Sequence, residues 1–286
     1  MASLIGKWDQ TKERLYETGV DRGVLYVMDE NGDYTDGKAW NGLISVQETP
    51  GGAESNPVYA NNEKYLDIRS AETLGGTIQA YTCPRDFYVC DGSQAYKGVG
   101  QSTEIDYIRV AQQARRGFGM SYRTIVGNDV LQNAFSYKLH LLYNATVSPT
   151  QREYQTVNES PEQSQLSWEF STTPIEVAGF KNKTSLLTID VSQIALMPDG
   201  EDKTAALAKI AALEAVLYGT DGVYTKVVTP AAGSLDTYYE LVNGVYVLTE
   251  DESIVANKDY YTQTTAPTDP TLPLPADLDE IFYAAG

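Results

Sequence analysis

The chain has 286 residues, 42% of them hydrophobic, which is enough to bury a substantial core and too apolar for a disordered acidic tail. Its 39 Asp and Glu against 21 Lys and Arg leave a net charge of −18. That balance excludes tight binding to DNA or to an anionic membrane, because neutralising phosphates requires clustered cations.

The opening stretch "MASLIGKWDQTKERLYETGVDRG" lacks the basic flank, apolar run and small-residue cleavage site of a signal peptide, so folding in a cytoplasm is expected. No apolar stretch approaches the roughly 20 residues of a membrane helix. From Gly23 to about Asp190 the chain is a series of short runs rich in β-branched and aromatic residues, among them "GVLYVMD", "AWNGLISVQE", "GTIQAYTC", "FGMSYRTIV", "SYKLHLLYNATV" and "KTSLLTIDV", punctuated by Gly, Pro, Asn and Asp. Several alternate: in "SYKLHLLY", Tyr137, Leu139 and Leu141 point one way, Lys138 and His140 the other. Alternation predicts half-buried antiparallel strands, and so an antiparallel sandwich or barrel.

Within this region "DENGDYTDGK" (29–38) carries acids and glycine as a calcium loop does, but lacks the length and closing Glu of an EF-hand, so a hairpin turn is expected. "QETPGGAESNPVYANNEKY" (47–65) is polar and rich in Gly, Pro and Asn, and predicts a long functional loop between two strands. Cys83 and Cys90, in "CPRDFYVC", fit no common zinc or redox spacing and are expected as reduced thiols. "QARRGFGMSYRTIVGND" (113–129) gathers Arg115, Arg116 and Arg123 around a strand. They could be a nucleic-acid footprint, an anion site, solvated strand-end cations, or half of a contact whose other half is acidic.

"PDGEDKTAALAKIAALEAVLYGTDG" (198–222) predicts one long helix over 202–218. Asp199 or Asp202 is its expected cap, Leu207, Ile210, Leu213, Glu214 and Leu217 its core stripe, and Gly219 its stop. An internal repeat follows: "GVYTKVVTPAAGSLDTYYELV" aligns with "GVYVLTEDESIVANKDYYTQT" at an offset of 22. Each copy predicts strand, turn, strand, so residues 223–264 are expected as a tandem-hairpin module projecting from the body. It holds six acids and two bases. "TTAPTDPTLPLPADLDEIF" then forms an extended C-terminal segment.

Chemistry is hard to find. The one histidine, His140, has no G-x-S-x-G elbow to serve, and no H-E-x-x-H, P-loop or dinucleotide-binding fingerprint is present. No enzyme activity, cofactor or metal is expected. Two of the 39 acids converging as a hydrolase pair is the weakest of the open alternatives.

The ordered blocks "AWNGLISVQETPGGAE", "VYANNEKYL", "GGTIQAYTCPRDFYVCDG", "FGMSYRTIVGNDV", "YKLHLLYNATVSPTQREYQTVNESPEQSQLSWEFSTTP" and "LPLPADLDEIF" resemble the major tail protein, or tail tube subunit, of long-tailed phages (siphoviruses). The resemblance spans roughly 12–222 and 266–286. Residues 99–112 are longer than that family's link, and 223–264 interrupts it at the boundaries of the repeat. The resemblance implies a β-sandwich with one packed helix that forms hexameric rings, stacked into a tube in the virion tail. DNA and the tape-measure protein pass through, and initiator and terminator proteins bound the tube. Its domains would be an N-terminal arm (1–22), a core (23–222), an outer-surface insertion (223–264) and a segment returning to the core (265–286). The loop 47–65, with Gly51, Glu54, Tyr59, Asn61 and Lys64, would reach the next ring, and the N-terminal arm would make a second contact. Arg115, Arg116 and Arg123 would meet acidic surface on a neighbour, so that Arg123→Glu impairs assembly and leaves the fold intact. The competing expectation is a Tyr-rich acidic module that recognises a cell-surface ligand.

Overall fold

A computed structural model describes residues 11–52, 54–69, 72–150, 165–227, 238–249 and 258–283. The protein is mainly β, with antiparallel sheets, and its one long helix packs on the outside. Five strands form one leaf: β1 (Leu15–Val27), β2 (Lys38–Ala39), β9 (Phe118–Asn128), β10 (Gln132–Val147) and β12 (Leu186–Asp190), in the lateral order β2-β1-β9-β10-β12. β3 (Leu43–Gly52), β6 (Glu72–Ala80) and β11 (Leu166–Thr172) form the other, in the order β11-β6-β3.

The two leaves meet in β10. Its residues Lys138 to Leu142 pair with β12, and Ala145 to Val147 pair with β11 on the same side of the strand. The β2–β1 pairing runs on to Trp40, whose N–H donates to the Gly23 carbonyl at 2.7 Å, and the second leaf folds back over the first around one shared core.

Alternation decides which residues fill the space between the leaves. Leu25, Met120, Tyr122 and Leu142 point inward from the first leaf; Ile78, Ala80, Trp168 and Phe170 point inward from the second. A short helix, α1 (Phe87–Cys90), closes the cluster, with the Phe87 ring 5.1 Å from Trp168 and 4.7 Å from Trp40. The opposite face of the first leaf presents Val24, Tyr26, Leu139, Leu141 and Tyr143 to Leu213 and Leu217 of the long helix. β10 is therefore covered on both faces. Truncating Trp168 would remove about 3–5 kcal/mol of packing.

β4 (Ser55–Ala60) and β5 (Glu63–Arg69) pair only with each other, as do β7 (Gln94–Tyr96) and β8 (Ile105–Val110). A short helix, α2 (Val191–Ala195), is capped by Asp190, which accepts from the Ser192 backbone. The long helix, α3 (Glu201–Tyr218), follows the expected span, but its cap differs. Gly200 is the N-cap and no side chain caps it; Asp199 instead binds Lys203 at 2.9 Å. Ile210, Leu213 and Leu217 are buried, while Leu207 is exposed at one end of the stripe. Gly219 ends the helix at φ +70°, where a Cβ would stand 2.4 Å from the Thr268 carbonyl oxygen.

Three sequence expectations need correction. Residues 15–22 are the first half of β1, paired with β9 from Leu15↔Asn128 onward, so they belong to the sheet and not to an arm. Residues 1–10 of that expected arm lie outside the described residues. The 47–65 stretch is strand and turn, not loop. The repeat is not two hairpins.

Its strands are β13 (Val223–Val227), β14 (Tyr239–Val242), β15 (Val245–Leu248) and β16 (Tyr260–Thr265), in the order β13-β16-β14-β15. β13 and β15 are repeat equivalents, as are β14 and β16. Each copy's first strand thus pairs with the other copy's second. Where the central strands meet, Tyr239 faces Tyr261, its own equivalent, so a local two-fold axis passes between them. Tyr224 stacks on its equivalent Tyr246 with centroids 4.1 Å apart, and the Tyr224–Tyr239 and Tyr246–Tyr261 contacts are both 5.0 Å. Asn243 and Gly244, at φ +52° and +85°, make the tight turn between β14 and β15. The expected turns at 228–237 and 250–257 lie outside the described residues. A last helix, α4 (Leu278–Tyr283), sends Lys209 of α3 a carbonyl acceptor at Phe282.

Candidate assembly surface

β3 and β6 pair beyond the body as far as Gly52↔Glu72, and β4 and β5 continue as a second ladder from Ser55↔Arg69 to Ala60↔Glu63. Together they make an arm of two antiparallel strands. Its tip is Asn61–Asn62, at φ +54° and +67°, the left-handed pair that a two-residue hairpin turn requires and that Asn tolerates.

The pairing sorts the side chains onto two faces. Val58 stands opposite Leu66, and Asn56 opposite Ile68; these share one face with Ala60. Pro57, Tyr59, Lys64 and Asp67 share the other. There Lys64 binds Asp67 at 2.7 Å and Ser55 donates to the same carboxylate, which these partners hold below its ordinary range. Within the chain nothing described covers the apolar face, and Ile68 is 56% exposed. An isolated two-stranded ribbon is marginal in water, and its outer edges carry unpaired backbone groups.

At the arm's root Glu48 reaches back into the body. Its carboxylate accepts from the Tyr122 hydroxyl and lies 3.4 Å from His140 Nδ1. His140 stacks flat on Tyr122, with centroids 4.8 Å apart and planes at 1°. On its far side Nε2 is 3.0 Å from Thr124 Oγ1, which donates to Glu17, and Glu17 pairs with Lys138 at 2.6 Å. The hydrogen bond to His140 holds the Glu48 carboxyl below the ordinary 4.5, against its partial burial.

The sequence-derived contact residues separate into two groups. Gly51, Glu54, Tyr59, Asn61 and Lys64 all lie on the arm: Gly51 in β3 opposite Thr73, Glu54 between β3 and β4, Tyr59 opposite Lys64, and Asn61 at the tip. The arginines do not converge. Arg123 grips Asp21 of β1 with two bonds, at 2.7 and 2.6 Å, and lies 4.7 Å from the Tyr137 ring centre. Asp21 and Arg123 are cross-strand partners in the β1–β9 ladder, which corrects the expectation that Arg123 meets a neighbour's acid. Arg115 and Arg116 are exposed on the connection from β8 to β9. Arg116 lines a cleft of about 700 Å³ with Arg85, Arg109, Asp86 and Glu104.

Sequence reasoning missed the apolar face of the arm and the Glu48–His140 contact. The first had a signal: Val58, Leu66 and Ile68 flank the Asn pair with strand alternation. The second had none, since 92 positions of sequence separate its partners. It also missed the β7–β8 hairpin, whose Tyr107 is 85% exposed. The two cysteines are free, as expected, and burial pushes the Cys90 thiol up to about 12. Among the described residues no helix is long and apolar enough to cross a membrane. No protein-family model matches this chain, and no curated protein matches it.

Proposed function

We propose that this chain is the tail tube subunit of a long-tailed phage, a structural virion protein that assembles in the host cytoplasm as hexameric rings stacked into a tube. The observation that carries this reading is the arm, with strand edges open and an apolar face uncovered in the single chain. A second copy supplies both what the edges and the face lack. Pairing of edge strands around a closed ring removes the aggregation hazard that a lone subunit carries. The net charge of −18 suits a conduit through which DNA and a tape-measure protein slide without specific binding. Arg115 and Arg116, exposed beside the sheet, are available to meet acidic surface on a neighbour and set orientation. The protein acts as a structural element, without enzymatic chemistry or cofactor, and its other partners are the initiator and terminator of the tail.

The six tyrosines of the 223–264 module spend their faces on one another, so the module is a decoration on the outer surface. Gly222 and Thr265 lie side by side at its base, a Cβ on Gly222 standing 3.1 Å from the Thr265 carbonyl oxygen. The test is negative-stain electron microscopy of the purified protein, concentrated at near-physiological salt. Hollow rings or stacked tubes are expected; monodisperse monomers with or without an added tail initiator contradict the reading.

A further inference from the structure

The arm leaves the body where the pairing of β6 with β11 ends, at Ser171↔Gly75, with Leu74 still packed on the core. After Glu48 the chain runs Thr49, Pro50, Gly51, Gly52, all exposed, and on the returning strand Gly75 and Gly76 stand opposite Thr49 and Glu48. These glycines are held by β11, and Gly76 lies against the Phe170 ring, whereas β3 is the edge strand with no outer neighbour in the sheet. Among the described residues Glu48 is the last side chain of β3 with a hydrogen bond to the sandwich before the arm departs.

What it touches is rigid. Tyr122 is 2% exposed and belongs to the core between the leaves, and His140 is 7% exposed. The imidazole is fixed on one face by the Tyr122 ring. Its edge is fixed by Thr124 Oγ1 at 3.0 Å, Thr188 Oγ1 at 3.5 Å and Glu17 Oε1 at 3.9 Å, the last already tied to Lys138. Side chains of four strands of the first leaf, β1, β9, β10 and β12, therefore fix the Tyr122–His140 pair that meets the Glu48 carboxylate of the second. A charged acceptor with one hydroxyl donor and an imidazole edge at 3.4 Å makes a directional contact, stronger than a neutral pair.

We propose that Glu48, held by Tyr122 and His140, is a positioning latch that sets the direction of the arm and makes it competent to dock on a second copy of the chain. This inference rests on the reading of the arm as the assembly contact. It assigns a role to the chain's one histidine that needs neither a nucleophile nor a metal. The latch contributes direction, while docking energy comes from the apolar face further out.

The test is hydrogen–deuterium exchange across residues 49–52 and 72–76, with tube yield by electron microscopy on the same preparations. The variants are Glu48→Ala, Glu48→Gln and Tyr122→Phe; the last keeps the ring on His140 and removes only the hydroxyl. Glu48→Ala is expected to speed exchange at the arm's root about tenfold. Exchange in β9 and β10 stays unchanged, and tube yield falls. Tyr122→Phe has the same effect to a smaller degree, and Glu48→Gln, which still accepts from Tyr122, recovers part of the loss. Equal exchange at the root in Glu48→Ala and the parent protein overturns the latch, whatever the tubes do. Faster exchange spread evenly over β9 and β10 also overturns it, because it reports general loosening of the core. If the parent protein never assembles, the tube reading fails instead, and exchange at the root still decides whether the latch exists.

Discussion

Two of the β elements outside the sandwich, the arm and the 223–264 module, treat an apolar face in different ways. The arm of β3–β6 has one face with Val58, Leu66 and Ile68 and nothing described over them; the 223–264 module has six tyrosines packed against one another about a local two-fold axis. A ribbon of two strands cannot bury its own face, whereas a four-stranded sheet made of two interlocked copies can. The module's tyrosine stack is complete within one chain, although Val223, Leu241, Val242, Val245, Val247 and Leu248 are exposed beside it. On the proposed reading the arm is half of an interface.

The sharpest way to break this comparison is to put charge on the arm. Replacing Leu66 and Ile68 together with Glu is expected to abolish assembly while shifting unfolding by no more than about 0.5 kcal/mol per site, since both are exposed in the monomer. Sedimentation velocity and thermal melts measure the two effects; a cooperative loss of stability would mean that the face is packed within the chain after all. Tyr246→Ala should do the reverse. It removes the central stack of the module at a cost of about 2–4 kcal/mol to the module, read as a separate early transition in calorimetry, with tube yield unchanged. Excision of 223–264 with Gly222 joined to Thr265 likewise leaves tubes intact, and an insoluble product would show that the module supports the body.

Smaller effects test the body that both ribbons share. Asp21→Ala strands the half-buried Arg123 and should cost about 1–3 kcal/mol of stability, seen in urea unfolding. Arg123→Glu, which places two carboxylates face to face, should cost more, and its loss of tubes should track its loss of fold. Normal stability with abolished assembly would restore Arg123 to the interface. The least effect is in pH. Glu48 has its carboxyl held below the ordinary 4.5, so its contribution is fully present above that pH and is lost as the pH falls through the lowered folded value. A melting curve at successive pH steps from 6 to 3 should decline more steeply in the parent than in Glu48→Gln; parallel curves would contradict the assignment.

Much of this architecture was legible in the residues. Alternation in "SYKLHLLY" put Leu139 and Leu141 on one face, which in the structure meets the helix, and the Ile210, Leu213, Leu217 spacing placed α3 within a residue of its span. What was illegible depends on register. Nothing local tells that Asp21 lies beside Arg123, because that follows from a ladder between strands a hundred positions apart. Two copies of one 22-residue unit can pair within themselves or with each other using the same residues, so the interlocked order β13-β16-β14-β15 could not be chosen from sequence. The arm was misjudged for a different reason. Its Pro, Gly and Asn content weighs toward loop, yet Asn61–Asn62 is a hairpin turn and the flanking residues alternate. Turn chemistry outweighed composition there.

The most direct test of the whole account is electron microscopy of the parent protein and the Leu66→Glu, Ile68→Glu double variant, side by side at equal concentration. Hollow rings or tubes in the parent and folded monomers in the variant are the predicted result. Tubes of equal number in both would contradict the claim that the arm's apolar face is the contact from which this protein assembles.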